Sequence, residues 1–151
     1  NFDLNVFFRF SGGNKIMNAS RQSALFNMDF SNNGTEILGR WISPEQPGDG
    51  MTPKIGYGDA SSLFNDGYTD SHFVESGNYL KLSTLALGYT LPKAVVSKLN
   101  MTKIRFYVQG QNLLTITGYS GLDPETNSRL GVDWNGMPQQ RSFTFGANIT
   151  F

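Results

Sequence analysis

The sequence predicts an all-β chain, an antiparallel transmembrane β-barrel segment with long extracellular loops. Three observations carry that expectation. Four runs alternate apolar and polar residues. The composition is poor in charge and rich in aromatics and glycine. The connections between the runs are short on one side and long on the other. Charged residues make up 16% of the 151 residues, against roughly 25% in an ordinary soluble domain. Aromatics reach 13%, with 17 glycines. Lysine plus arginine and aspartate plus glutamate both number 12, so no net charge draws the chain to nucleic acid. The absence of cysteine excludes disulfides, thiol catalysis and Cys-ligated metal. The single histidine, His72, excludes multi-His metal clusters. The chain opens on Asn1 rather than Met and reads as a piece of something longer.

The first run covers residues 2–10. Phe2, Leu4, Val6, Phe8 and Phe10 fall on one face, Asp3, Asn5 and Arg9 on the other, and Phe7 is an intruder on the polar side. Side chains alternate across a strand, so this is a two-faced strand. The second run, 78–91, slips in phase: Leu80 and Leu82 are even, whereas Leu85, Leu87, Tyr89 and Leu91 are odd. A slip at Ser83-Thr84 implies either a β-bulge or an upper half that leaves to pack elsewhere. The third run, 103–116, puts Ile104, Phe106, Val108, Gly110, Leu114 and Ile116 on one face, with Asn112 out of pattern. Arg105, Gln109 and Gln111 lie on the other face, which would line an aqueous lumen in a barrel. The fourth run, 141–151, has Phe143, Phe145, Ala147, Ile149 and Phe151 alternating with Ser, Thr, Gly, Asn and Thr. Its length suits the roughly 9–11 residues of a tilted membrane strand.

Residues 92–102 form a short turn, opened by Pro92, which cannot donate to a ladder; residues 93–99 could make two helical turns. Residues 11–77 and 117–140 are long. Short turns on one side and long loops on the other is the layout of outer-membrane barrels. The strands then run up, down, up and down, with 92–102 periplasmic and both long loops extracellular. Within the loops, residues 18–30 suggest a short helix around Leu25, Phe26 and Met28, and residues 41–57 are dense in turn formers.

Several strings resemble the C-terminal part of SusC/RagA-type TonB-dependent outer-membrane transporters. They are Phe73-Val74-Glu75-Ser76-Gly77-Asn78-Tyr79-Leu80-Lys81-Leu82, Leu87-Gly88-Tyr89-Thr90-Leu91-Pro92, Gln111-Asn112-Leu113-Leu114-Thr115-Ile116-Thr117, Tyr119-Ser120-Gly121-Leu122-Asp123-Pro124-Glu125 and the terminal Phe143 to Phe151. Trp41 followed by Pro44-Glu45 and Thr52-Pro53 resembles that family's preceding loop. The resemblance runs in order over residues 2–151. It implies the last four strands of a barrel of about 22 strands, in an integral protein of the bacterial outer membrane. It also implies energised import of glycan fragments or oligopeptides, with no catalysis and no cofactor. The implied partners are the plug and remaining strands of the same transporter, a SusD-like surface lipoprotein, TonB acting through the plug, the barrel-assembly machinery and outer-membrane lipid. Four strands cannot close such a barrel, and open edges are not tolerated in lipid.

Site expectations follow. Phe143, Phe145, Ile149 and Phe151 face lipid, and the terminal aromatic resembles an assembly signal; the bland reading is an ordinary last strand. Arg105, Gln109 and Gln111 face the lumen. Trp41 and Trp134 are loop aromatics that could touch ligand or partner, or simply pack loop on loop. Asp66, Asp70, Asp123, Glu125 and Asp133 lack the spacing of a calcium loop and read as solvated loop residues. His72, with no second histidine, reads as a loop residue. The rival class is a soluble carbohydrate-binding β-sandwich with Trp41 and Trp134 as sugar platforms. That architecture usually shows about seven short strands at roughly 8–12-residue spacing, a rhythm this chain lacks.

Overall fold

The computed structural model describes residues 1–26, 32–54, 71–125 and 130–151. The chain divides into two compact units. The first comprises Asn1–Asn14, Gly77–Gly118 and Pro138–Phe151; the second comprises Lys15–Ser76 and Tyr119–Met137. Asp66, Asp70 and Met28 lie outside the described residues.

The first unit is a four-stranded antiparallel sheet. Its strands are β1 (Phe2–Ser11), β4 (Tyr79–Thr90), β5 (Lys103–Thr117) and β7 (Ser142–Thr150), ordered β1-β4-β5-β7. Neighbours in this sheet are also successive along the chain among its own strands, so it is an up-and-down meander. β1 pairs with β4 from Phe2↔Tyr89 to Ser11↔Tyr79, and β4 with β5 from Tyr79↔Thr117 to Thr90↔Arg105. β5 pairs with β7 from Lys103↔Thr150 to Gln111↔Ser142. The ends of β1 and β5 and the start of β4 therefore share one end of the sheet, where both long connections leave. The opposite end carries the 92–102 turn.

Registers place cross-strand partners on a common face. Leu4, Leu87, Val108 and Phe145 form one apolar row, and Val6, Leu85, Gly110 and Phe143 the next. Toward the other end the rows are Phe8, Leu82 and Leu114, then Phe10, Leu80 and Ile116. These rows stay on one face only because two irregularities intervene. Against β1, Phe7 pairs with Thr84 but Phe8 with Leu82, leaving Ser83 as an extra residue of β4. Against β5, Leu82 pairs with Leu114 but Thr84 with Gln111, so β5 carries the extra residue there. Of the two explanations for the phase slip, the bulge is the one the ladder contains. Asn112 sits in the β5 bulge with φ 53°, the left-handed region that Asn tolerates because its short amide bonds locally. Its Nδ2 donates to the Gln140 carbonyl at 3.0 Å.

The polar face is fitted around two glycines. The Tyr107 ring lies over Gly146, where any Cβ would strike it, and the Arg105–Asp3 ion pair passes over Gly88 in the same way. An aromatic laid across a cross-strand glycine covers backbone that would otherwise stay open.

The second unit is built on a small sheet of β2 (Lys15–Asn18), β3 (Val74–Ser76) and β6 (Val132–Asp133), ordered β3-β2-β6. β2 is antiparallel to β3 and parallel to β6. Helix α1 (Ala19–Phe26) follows β2 directly. Asn18 caps it, its Oδ1 accepting the Arg21 amide at 2.9 Å, an N-cap contact that satisfies one orphan donor. Met17, Leu25 and Phe73 form the core, with Ile37 and Val132 against it. The turn-rich stretch closes on itself: Asp49 N–H donates to the Gly39 carbonyl at 2.8 Å and Trp41 N–H to the Thr52 carbonyl at 2.9 Å. Gly48 is required there, having φ +69° and backbone oxygens of Gly39 and Arg40 where a Cβ would stand.

The β5 bulge yields a test in the full-length protein. Asn112→Gly should leave its heat-modifiable gel mobility unchanged. Asn112→Val, a β-branched residue forced to positive φ, should cost about 1–3 kcal/mol and lower the temperature at which that mobility is lost.

Candidate functional site

The sheet presents two surfaces of different chemistry. Its apolar face is uncovered: Phe2, Leu4, Leu87, Phe106, Phe143 and Phe145 are all exposed, Phe145 at 78%. Ile149 is half exposed and Phe151 almost wholly exposed. Of the four residues expected to face lipid, Phe143, Phe145 and Ile149 share this face of β7, and Phe151 follows the strand's last residue. A contiguous apolar patch of this kind marks contact with lipid or protein.

On the opposite face, Gln109 pairs laterally with Ala86 and Thr144, and Gln111 with Thr84 and Ser142. Ser142 Oγ donates to Gln111 Oε1 at 3.3 Å. Phe7, the intruder, stands opposite Thr84 on this face. Arg105 is not a free cation. Its Nε donates to Asp3 at 3.0 Å, its second nitrogen holds the other carboxylate oxygen, and its guanidinium lies 5.4 Å from the centre of the Tyr107 ring. Two parallel N–H···O bonds fix both partners' geometry. Lys81 lies further along the same face, next to Arg9 and Thr115, and is buried.

The two loop tryptophans stand apart in the second unit. Trp41 is partly exposed beside Lys54, whose Nζ is 5.7 Å from the ring centre. Trp134, just past β6, is 75% exposed. No ring contact joins them among the described residues.

The second unit also holds a polar cluster that residue patterns did not reveal. Arg21 on α1 binds both Glu36 oxygens and reaches Glu75 at 3.3 Å. His72 Nε2 lies 3.5 Å from Glu36. Glu75 in turn accepts the Ser120 amide at 2.8 Å, the Ser120 hydroxyl at 2.7 Å and the Asn18 amide at 3.2 Å. Hydrogen bonding from Arg21 holds Glu36 below the usual carboxylate range, against the opposing pull of burial. Burial pushes Glu75 up, but the bonds from Ser120 and Asn18 and the charge of Arg21 outweigh it and leave it lowered. Burial and its bond to Asp133 push the Tyr119 hydroxyl upward; that hydroxyl donates to Asp133 at 2.6 Å. A cleft of about 660 Å³ opens beside the cluster, lined by Asn18, Arg21, Glu36, Ser120, Asp133 and Asn135 among others. Glu75 and Ser120 fall within the strings that carried the family resemblance. Arg21, Glu36 and His72 come from positions so far apart in sequence that no spacing rule joins them.

Of the carboxylates weighed for calcium, Asp123 and Asp133 serve as turn acceptors. Asp123 accepts the Glu125 amide at 3.0 Å, and Asp133 accepts the Gly136 amide at 3.3 Å besides Tyr119. Among the described residues no group of three or more His, Cys, Asp or Glu could hold a metal ion.

Because Glu36 and Glu75 are lowered in the folded chain, their contribution is complete above the ordinary glutamate range. It is lost as pH falls through their folded values. The protection factor of the Ser120 amide, taken from hydrogen exchange by mass spectrometry relative to the intrinsic rate at each pH, should therefore be high at neutral pH and fall under acid. Glu75→Gln should lower it at neutral pH and flatten that pH dependence.

No family model matches the chain. TonB-dependent receptor P3 of Formosa agariphila is 32% identical over 161 residues, covering all of this chain and 15% of that protein. TonB-dependent receptor SusC of Bacteroides thetaiotaomicron is 26% identical over 167 residues, covering all of this chain and 14% of that protein. Among solved structures, the RagAB peptide transporter superposes with a TM-score of 0.82 at 26% identity, over 99% of this chain and 16% of that one. The RagAB peptide importer in its open-open state gives 0.77 over the same share. The chain thus spans about 15% of the length of the relatives it matches, and its antiparallel sheet corresponds to barrel wall in the structures it superposes on. This chain is a β-barrel segment of the SusC/RagA type of TonB-dependent receptor.

Proposed function

We propose that the chain forms part of the wall of a TonB-dependent importer integral to the bacterial outer membrane. The importer takes up oligosaccharides or oligopeptides with a SusD-like surface lipoprotein. The carrying observation is the sheet with one open apolar face and one polar face, in a chain that aligns along its whole length with TonB-dependent receptors. A lone open sheet leaves unpaired edges on β1 and β7, which lipid does not tolerate. Those edges pair with the other strands of the same transporter.

In this reading Phe143, Phe145, Ile149 and Phe151 face lipid, and the terminal strand is read by the barrel-assembly machinery. Arg105, Gln109 and Gln111 face the lumen, with Arg105 contributing shape through its pairing with Asp3 rather than a free positive charge. The 92–102 turn is periplasmic, and 11–77 and 117–140 are extracellular. TonB acts through the plug, which moves to open the path. Trp41 and Trp134, held on a small folded unit, are offered to the lipoprotein or to cargo. The hydroxyl, amide and charged lining of the cleft beside Arg21 suits polar cargo. The segment acts as a wall and a vestibule and carries no reaction.

Two measurements test the reading in the full-length transporter. Leu87→Lys and Phe145→Lys each place an ammonium on the proposed lipid face, at about 2–4 kcal/mol if near the midplane. Both should sharply lower the amount of assembled, heat-modifiable barrel, while Gln109→Lys should assemble normally. Equal tolerance on both faces would overturn the assignment of sides. Uptake of the cargo by whole cells should stop when the proton gradient is collapsed; uptake that persists would mark a passive pore instead.

A further inference from the structure

The connection between β4 and β5 is short but folded. Pro92 ends the strand, α2 occupies Lys93–Val96, a 3-10 turn follows over Ser97–Leu99, and Asn100 reverses the chain at φ 55°. It is stitched to the sheet: Leu91 N–H donates to the Ile104 carbonyl at 3.0 Å, and Thr102 N–H to the Thr150 carbonyl at 2.8 Å. Residues 92–103 contain Lys93, Lys98 and Lys103 and no acidic residue. Val95 and Leu99, four apart and so on one side of the helical turns, are 45% and 53% exposed.

The side on which this element lies can be read from burial. Val96 is buried, and α2 packs against β5. Ile104, the first apolar-face residue of β5, is buried as well, whereas Phe106, the next residue on that face, is exposed. The helix therefore leans over the apolar face and not the polar one. Its exposed apolar residues continue the oily surface of the sheet, and its lysines stand at the margin of that surface.

We propose that this connection is a phospholipid-binding element of the bilayer interface. Val95 and Leu99 enter the edge of the hydrocarbon, and the lysines bind the phosphates of anionic glycerophospholipids in the leaflet at the short-turn end. The inference rests on the barrel reading. Two features select the occupant: continuity with the apolar face, and a run of positive charge with no counter-charge of its own. Lysine suits the position because its methylenes stay in the apolar layer while the ammonium reaches the headgroups. A short amphipathic helix with basic residues beside apolar ones lies along an interface rather than across it. Lys103 also sits in the field of Asp3, so Lys93 and Lys98 carry the test.

The experiment uses the full-length transporter in nanodiscs of phosphatidylcholine with and without phosphatidylglycerol. Native mass spectrometry should show retained phosphatidylglycerol falling several-fold in Lys93→Gln/Lys98→Gln, at roughly fivefold per lysine before screening. It should return in Lys93→Arg/Lys98→Arg and stay unchanged in the exposed control Lys15→Gln. A spin label on Val95→Cys should relax more with oxygen than with a water-soluble nickel chelate. Equal retention in the glutamine variant, or a label more open to nickel than to oxygen, overturns the proposal while leaving the barrel intact. A transporter that does not enter nanodiscs at all overturns the barrel reading, and this inference with it.

Discussion

The structure depends on keeping two different faces in phase along a hydrogen-bonded ladder. Side chains alternate with period two, so one residue gained or lost exchanges the faces for the rest of a strand. Were Ser83 held in the regular ladder with no bulge, Leu85 and Leu87 would lie on the same side as Lys81. The two bulges prevent this, one in β4 and one in β5. They fall at the same level of the sheet, so Phe8, Leu82 and Leu114 continue the apolar surface begun by Phe2, Tyr89 and Phe106. A bulge disturbs the ladder locally, and here Ser83 Oγ is buried without a partner among the described residues. That local defect is small beside a row of leucines on the wrong face.

The polar face is engineered with comparable economy near the short-turn end. Gly88 opens the gap through which Arg105 reaches Asp3 two strands away, and Gly146 leaves the space that the Tyr107 ring occupies. Asp3, Gly88, Arg105, Tyr107 and Gly146 form a band from β1 to β7 in which Asp3 holds Arg105, Arg105 lies against Tyr107, and the two glycines leave the room they occupy. A guanidinium held by two bonds to a carboxylate and stacked on an aromatic ring presents little net field. The contribution of Arg105 to the polar face is therefore a fixed shape. Gln109 and Gln111 lie further from that end, among small residues, and present amides rather than charge.

The second unit is held differently. Among its described residues Met17, Leu25 and Phe73 cluster as a buried apolar core with Ile37 and Val132 against it. Arg21 adds a polar tie, joining α1 to Glu36 on the 3-10 turn Thr35–Gly39 and to Glu75 on β3, with its guanidinium 5.7 Å from the centre of the Phe73 ring. Partly buried charges are tolerated there because each is matched and hydrogen-bonded. Such a scaffold fixes loop backbone without burying the loop's own aromatics, and Trp134 accordingly remains exposed on it.

The alternation of apolar and polar residues was enough to mark the four long strands and the two faces within β1 and β7, because side-chain direction in a strand is a local property. Phe143, Phe145 and Ile149 fall on one face of β7 for that reason. The up-and-down order was read from the lengths of the connections. The sequence left the slip in β4 open between two explanations and Asn112 unexplained, since a bulge is defined only against a neighbouring strand. The pairing of Arg105 with Asp3, the roles of Gly88 and Gly146, and the cluster around Arg21 came only from the tertiary structure. Each joins residues tens of positions apart, and a contact of that kind exists only once the register and the packing of separate segments bring the partners within hydrogen-bonding distance.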